Sequence, residues 1–288
     1  MSQSPFATAL VLSGVFLALF VLERLAPLRT PRAAVVPRLL VNLCVSALAI
    51  ATAYAVVAPA VRVALRQSST EGIGLLRWLE FPQPLEFVTG FALLDLSFYY
   101  WHRANHKIGL LWRLHNVHHI DPDLDVSTAF RFHFGEVALS AAFRVVQVVL
   151  LGESPVTFAM YELAFETGTL FHHSNVRLPL ATERLLNKIF VTPRMHGIHH
   201  SHVRSEDNCN FSVLFSCWDR IHRTLRLNIA QSKIVIGIPA YLEPENNRVA
   251  NVLILPFLTQ RDYWRTVDGN IVDRNELEAR SPSTVLEA

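Results

Sequence analysis

The chain has 288 residues, 51% of them hydrophobic and 17% charged, with a mean hydropathy of +0.28. That is too apolar for an ordinary soluble domain and fits one domain with several membrane spans. A net charge of +2, with no dense Lys/Arg stripe outside short loops, excludes nucleic acid and strongly acidic partners.

The first apolar run, Phe6 to Leu22, has no basic segment before it and no small-residue cleavage site after it, so it reads as a retained membrane helix. A loop with Arg24, Arg29, Arg32 and Arg38 follows. The second run, Leu39 to Val61, exceeds the roughly 20 apolar residues needed to cross a bilayer. Residues 62–84 read as a polar connector with Gly72, Gly74, Pro82 and Pro84. The third run, Leu85 to Trp101, carries Glu86 and Asp95 and ends in Tyr99-Tyr100-Trp101, which suits a membrane interface. Val137–Leu151 and Val156–Phe171, joined by Gly152-Glu153-Ser154-Pro155, are each shorter than a full span. They read as a hairpin dipping into the bilayer, or as two tilted short spans, with both ends on one side. After Arg177 the chain turns polar, with an interfacial segment expected at Val249–Leu258 and a loosely packed tail over the last 25 residues or so. The organisation expected is residues 1–84 as membrane helices and connector, 85–230 as a catalytic domain, and 231–288 as a C-terminal interfacial segment and tail.

Three histidine clusters carry the chemistry: His102 and His106 in HRANH, His115, His118 and His119 in HNVHH, and His196, His199 and His200 in HGIHH. On a helix, offsets of three and four return to one face, so each cluster can aim its imidazoles at one point. Imidazole suits iron, zinc, copper and nickel, and one ion takes some three to five protein ligands. Eight convergent histidines therefore predict two metals. His173, or its neighbour His172, ends the second hairpin arm at the same surface; adjacent helical residues diverge by about 100°, so one of the two is expected to ligate. His133, His202 and His222 read as bystanders. Asp95, Glu162 and Glu166 lie in apolar runs, where ionisable groups are costly; they are expected either to act or to bond ligand histidines, Arg or Tyr. Trp218-Asp219-Arg220 is expected to form a buried ion pair that locks a loop over the site.

Several metal chemistries are excluded by absence of their patterns. There is no HExxH of a zinc protease and no Glu-x-x-His pair of a carboxylate-bridged bundle. Cys44, Cys209 and Cys217 are scattered and form no CxxC, so neither a disulfide framework nor a thiolate metal site is expected. No nucleotide, haem or flavin motif is present, so electrons must come from another protein. A membrane metal transporter or sensor is the rival reading; it needs polar groups along a transmembrane path, whereas these histidines cluster on one side. Four arginines in the 24–38 loop against three in the 62–84 connector put the N-terminus outside and the histidines in the cytoplasm.

HRANH, HNVHH, HHSNVRLP, HGIHH and the WDR segment, in that order over roughly residues 90 to 226, resemble the fatty acid hydroxylase superfamily, which includes sterol desaturases. The resemblance implies an all-α integral membrane helical bundle with a cytoplasmic histidine-rich metal-binding cap. It implies two Fe ions, O2 as co-substrate, a membrane lipid as substrate and hydroxylation or desaturation of an unactivated C–H position. It places the metal ligands at His102, His106, His115, His118, His119, His173, His196, His199 and His200. The chain departs from the family pattern at Ser212, where Gly is frequent, and at His222, where an aromatic residue is common.

Overall fold

The computed structural model describes residues 5–274; the expectation for the tail falls largely beyond them. All regular structure among the described residues is helical, apart from four isolated β-bridges. Helix α1 (Pro5–Leu25) leaves Phe6 76% and Leu17 61% exposed, as a helix facing lipid would. Helix α2 (Val35–Thr52) runs through a π-helical turn at Ala53–Val57 into α3 (Ala58–Glu71). Pro59 removes an amide donor from this continuous rod, and the widened turn directly before it absorbs the mismatch. The rod ends at Gly72, in the left-handed conformation with φ +67°. The expected connector at 62–84 is therefore helical for its first ten residues and again in α4 (Leu75–Trp78).

Helix α5 (Gln83–Lys107) is continuous through His102 and His106, and a break at Ile108 starts α6 (Gly109–His119). Helix α7 (Phe134–Leu151) begins three residues before its apolar run because the His133 ring accepts the Gly135 amide and caps it. Helix α8 (Pro155–His173) returns from the Gly152 turn. The helices long and apolar enough to cross a membrane are Phe6–Leu25, the rod within Val35–Trp78, and Phe134–Leu151. Two expectations change here. Residues 85–101 do not belong to that set, because α5 carries polar groups that the bundle satisfies internally; the arm ending at Leu151 does belong to it. By length and composition these spans are those of an integral membrane protein.

The two ends of the bundle are pinned differently. At one end Gly74 (φ +117°) and Gly152 lie back to back, and a Cβ on Gly74 would overlap the Gly152 backbone. At the other end α1 and α2 meet the segment after α6. Glu23 accepts the backbone amides of Val126 and Asn175, and the buried Arg38 guanidinium pairs with Asp121 at 2.9 Å and with Asp125. Arg131, fully buried, donates to Asn42 Oδ1 at 2.6 Å and to the Val117 carbonyl at 3.0 Å. Removing one partner from such a buried set costs about 3–5 kcal/mol, so the membrane helices and the histidine segment are locked together. Arg24 and Arg38 thus pair with carboxylates of the protein rather than lying free in the loop.

Residues 174–274 form a cap of short helices, among them α9 (Leu180–Leu186), α10 (Pro193–His199), α11 (Arg204–Asp207), α12 (Cys217–Ile221) and α13 (Val249–Ile254). Its last part is not detached: Ile238, Tyr241, Val252 and Leu255 share one apolar cluster with Val41, Val45, Trp112 and Val117. The three cysteines are free thiols.

Candidate metal centre

Four helices deliver nine imidazoles to one buried volume. His102, His106, His115, His119 and His199 form one group, and His118, His173, His196 and His200 a second; within each, one ligand atom per residue lies within 4.8 Å of all the others. Helix α5 feeds the first group alone and α8 the second alone, while α6 and α10 supply both. Residues four apart share a group, as His115 and His119 do on α6, whereas residues three apart part company, as His115 and His118 and His196 and His199 do. The groups touch, with His119 and His200 stacked at 4.3 Å between ring centroids.

The hydrogen bonds behind the rings decide which nitrogen carries the proton. His102 Nδ1 donates to the Phe211 carbonyl at 2.9 Å, and His199 Nδ1 donates to the Cys209 carbonyl at 2.7 Å. A carbonyl only accepts, so both Nε2 atoms are bare lone pairs, yet they face each other at 3.0 Å. No hydrogen bond can join them; a shared cation can. His173 Nδ1 is likewise tied to the Thr169 carbonyl at 2.8 Å, which turns its Nε2 toward those of His118 and His196, each 3.0 Å away. Burial and neighbouring imidazoles hold His118, His119, His196 and His200 well below the ordinary imidazole pKa. They are therefore neutral and ready to ligate at physiological pH. The donor set, all imidazole nitrogen, fits a borderline transition metal such as iron.

Two carboxylates that the sequence reading passed over support the five-histidine group. Glu136 accepts from His115 Nδ1 at 2.9 Å, and Asp207 accepts from His106 Nδ1 at 3.1 Å. Asp207 also approaches His119 Nδ1 at 3.0 Å, out of hydrogen-bond alignment. In the sequence Glu136 opens an apolar run and Asp207 sits in a short polar stretch, so neither is distinguishable from a helix-cap or surface acid. Of the acids singled out instead, Asp95 and Glu162 do other work. Asp95 accepts from Tyr161, Trp218 Nε1 (2.7 Å) and the Phe215 amide (3.0 Å), and Glu162 pairs with Arg144. These partners are the Arg and Tyr of the bundle rather than ligand histidines.

The remaining histidines stay apart from both groups. His133 caps α7 and donates from Nε2 to the Leu253 carbonyl, and His222 bonds Tyr100 and the Trp218 carbonyl. His172 packs on His196 at 4.2 Å between ring centroids without joining a group. Asp219 and Arg220 do not pair as expected. Asp219 accepts the Phe211 and Ser212 amides and the Thr224 hydroxyl, while Arg220 donates to Asn187. Asp219 thereby fixes the loop whose Phe211 carbonyl holds His102, and the Ser212 hydroxyl returns a bond by accepting the Asp219 amide at 3.1 Å. Gly197 lets α10 approach the α1–α2 loop closely, since a Cβ there would displace the Arg29 guanidinium.

If Asp207 orients the His106 imidazole, Asp207→Ala should weaken metal binding by about 10–100-fold, read by chelator competition on the folded protein. His133→Ala should leave chelator resistance unchanged while costing about 1 kcal/mol of stability through the lost helix cap. Equal chelator sensitivity in the two variants would contradict this assignment of roles.

Residues 87–224 match the fatty acid hydroxylase family model. The chain is 31% identical over 159 residues to the ornithine lipid hydroxylase OlsE of Rhizobium tropici, covering 55% of this chain and 47% of that protein. It is 32% identical over 136 residues to human cholesterol 25-hydroxylase (46% and 48%) and 25% identical over 163 residues to human alkylglycerol monooxygenase (56% and 34%). The chain thus spans about half the length, or less, of these relatives. No solved structure matches. The matched segment, just under half of the chain, holds all nine clustered histidines together with Glu136 and Asp207, and through it the chain is similar to the fatty acid hydroxylase superfamily.

Proposed function

We propose that the protein is an O2-dependent, di-iron membrane oxygenase that hydroxylates an unactivated C–H position of a lipid. The observation that carries this is the pair of facing, unprotonated Nε2 atoms of His102 and His199, set within two adjacent groups of five and four histidines. The nine grouped histidines are the proposed ligands. Oxygen insertion is preferred to desaturation because the relatives are named as hydroxylases and a monooxygenase.

Two irons bound there would supply the O2-activating power that no side chain has. The residues of this chain do the rest. The Phe211, Cys209 and Thr169 carbonyls fix three imidazoles in one tautomer before any ion arrives, and Glu136 and Asp207 increase the electron donation of the five-histidine group. Among the described residues the four-histidine group has no carboxylate of this kind behind it and it has one ligand fewer, so the two positions are unequal. Phe132, stacked on His118 at 4.5 Å, and Phe211, against His102, His106 and His199, keep the surroundings dry. The apolar helices beside the centre suit lateral entry of lipid from the bilayer, and electrons are taken to come from a separate carrier protein.

The direct test is lipid analysis of cells with and without the protein under 18O2. A product heavier by one 18O, absent with His118→Ala or His199→Ala and retained with His133→Ala, is expected. Loss of two hydrogens without oxygen would establish desaturation, and an unchanged lipid profile would refute the oxygenase reading.

The centre is proposed to face the cytoplasm, where reduced carriers are found. A cysteine replacing Arg248, whose side chain is 71% exposed on the cap, should react with an impermeant thiol reagent only after the membrane is opened, in a background without the native cysteines. Labelling of intact cells would reverse this orientation.

A further inference from the structure

The walls of the metal centre are mostly phenylalanine, but on one side they are indole. Trp112, in the first turn of α6, lies 4.9 Å from the His106 ring and 5.4 Å from the His119 ring, centroid to centroid. Its outer side meets Trp264 at 6.1 Å with the rings 22° from parallel, and the edge of Tyr263 at 5.8 Å. Trp112 is 8% exposed, Trp264 is partly exposed, and Trp112 also lines an open surface cleft of about 570 Å³ with Arg113 and Tyr263. A row of touching π-systems therefore connects two imidazoles of the five-histidine group with solvent. Phenylalanine gives up an electron far less readily than indole, so the Phe132 and Phe211 walls offer no equivalent path.

We propose that Trp112 and Trp264 form an electron route that refills the five-histidine site when it is left oxidised with no lipid bound. The proposal rests on the oxygenase reading above. Trp112 passes one electron to the oxidised site and becomes an indole cation radical; Trp264 passes one to Trp112; a one-electron reductant in solution, such as ascorbate, refills Trp264. One electron moves at each step, no bond is broken in the protein, and one reductant is oxidised for each electron delivered. Tyr263 is beside the route rather than in it. Its hydroxyl donates to the Gln260 amide oxygen at 2.9 Å, and an oxidised phenol must shed a proton that a neutral amide does not take up. An oxidising centre buried among apolar side chains damages its own surroundings when substrate is missing, and this row gives that damage a controlled exit.

Iron-loaded protein in detergent, reduced without air and then exposed to O2 without lipid, provides the test, read by peptide mass spectrometry for oxygen added to tryptophan. Trp78, 73% exposed beside the Gly152 turn at the other end of the bundle, reports oxidants diffusing in solvent. Trp264 should be more oxidised than Trp78 despite its lower exposure, and ascorbate should abolish the difference. Trp112→Phe should bring Trp264 down to the level of Trp78. Should that variant lose iron, Trp264→Phe gives an independent reading, with oxidation rising at Trp112. If the iron is not oxidised by O2, the oxygenase reading falls and the route with it. Oxidised iron with Trp264 no more modified than Trp78, or no gain at Trp112 in Trp264→Phe, overturns the route alone.

Discussion

Two neutral imidazole nitrogens that both point lone pairs into a 3.0 Å gap repel each other, and a protein holds them so only if a cation is to sit between them. At His102 and His199 the arrangement cannot be relieved by changing tautomer, because the opposite nitrogen of each ring is committed to a backbone carbonyl. The same logic extends to His173, fixed by the Thr169 carbonyl, and to His115 and His106, fixed by carboxylates. Each of these five rings is oriented from behind, so its direction is a property of the fold rather than of the ion.

The rest of the molecule provides those anchors. The Phe211 carbonyl is placed by Asp219, which gathers two loop amides and the Thr224 hydroxyl, and the following loop is tied to α5 through Asp95, Trp218 and the Phe215 amide. The segment after α6 is held against the membrane helices by Arg38, Asp121, Asp125 and Arg131. Such buried charged sets contribute little net stability over an apolar core but penalise any partial disruption. They therefore suit a structure that must fix nine ring directions at the edge of a bilayer.

Much of this was legible in the sequence. Helical spacing put His102 with His106 and His196 with His200, though His199, read with them, falls in the other group, and hydropathy located α1, the α2–α3 rod and the two arms at Gly152. What the sequence could not convey depends on contacts between distant segments. HNVHH reads as one cluster, yet His118 is divided from His115 and His119, because the assignment depends on what α8 and α10 bring to the other side. Glu136 and Asp207 are 71 residues apart, and nothing local marks either as an imidazole partner. Asp219 looks like the natural partner of Arg220 until the loop folds and offers it two backbone amides. The arginines of the α1–α2 loop read as a topology signal, whereas Arg24 and Arg38 are spent on internal pairs.

X-ray absorption at the iron edge of the purified, iron-loaded protein, with iron counted in the same sample, tests the central claim most directly. The account predicts two irons per chain, first shells dominated by nitrogen at imidazole distances, and the outer-shell scattering of several histidine rings. A single iron per chain, or shells dominated by carboxylate oxygen, would contradict it.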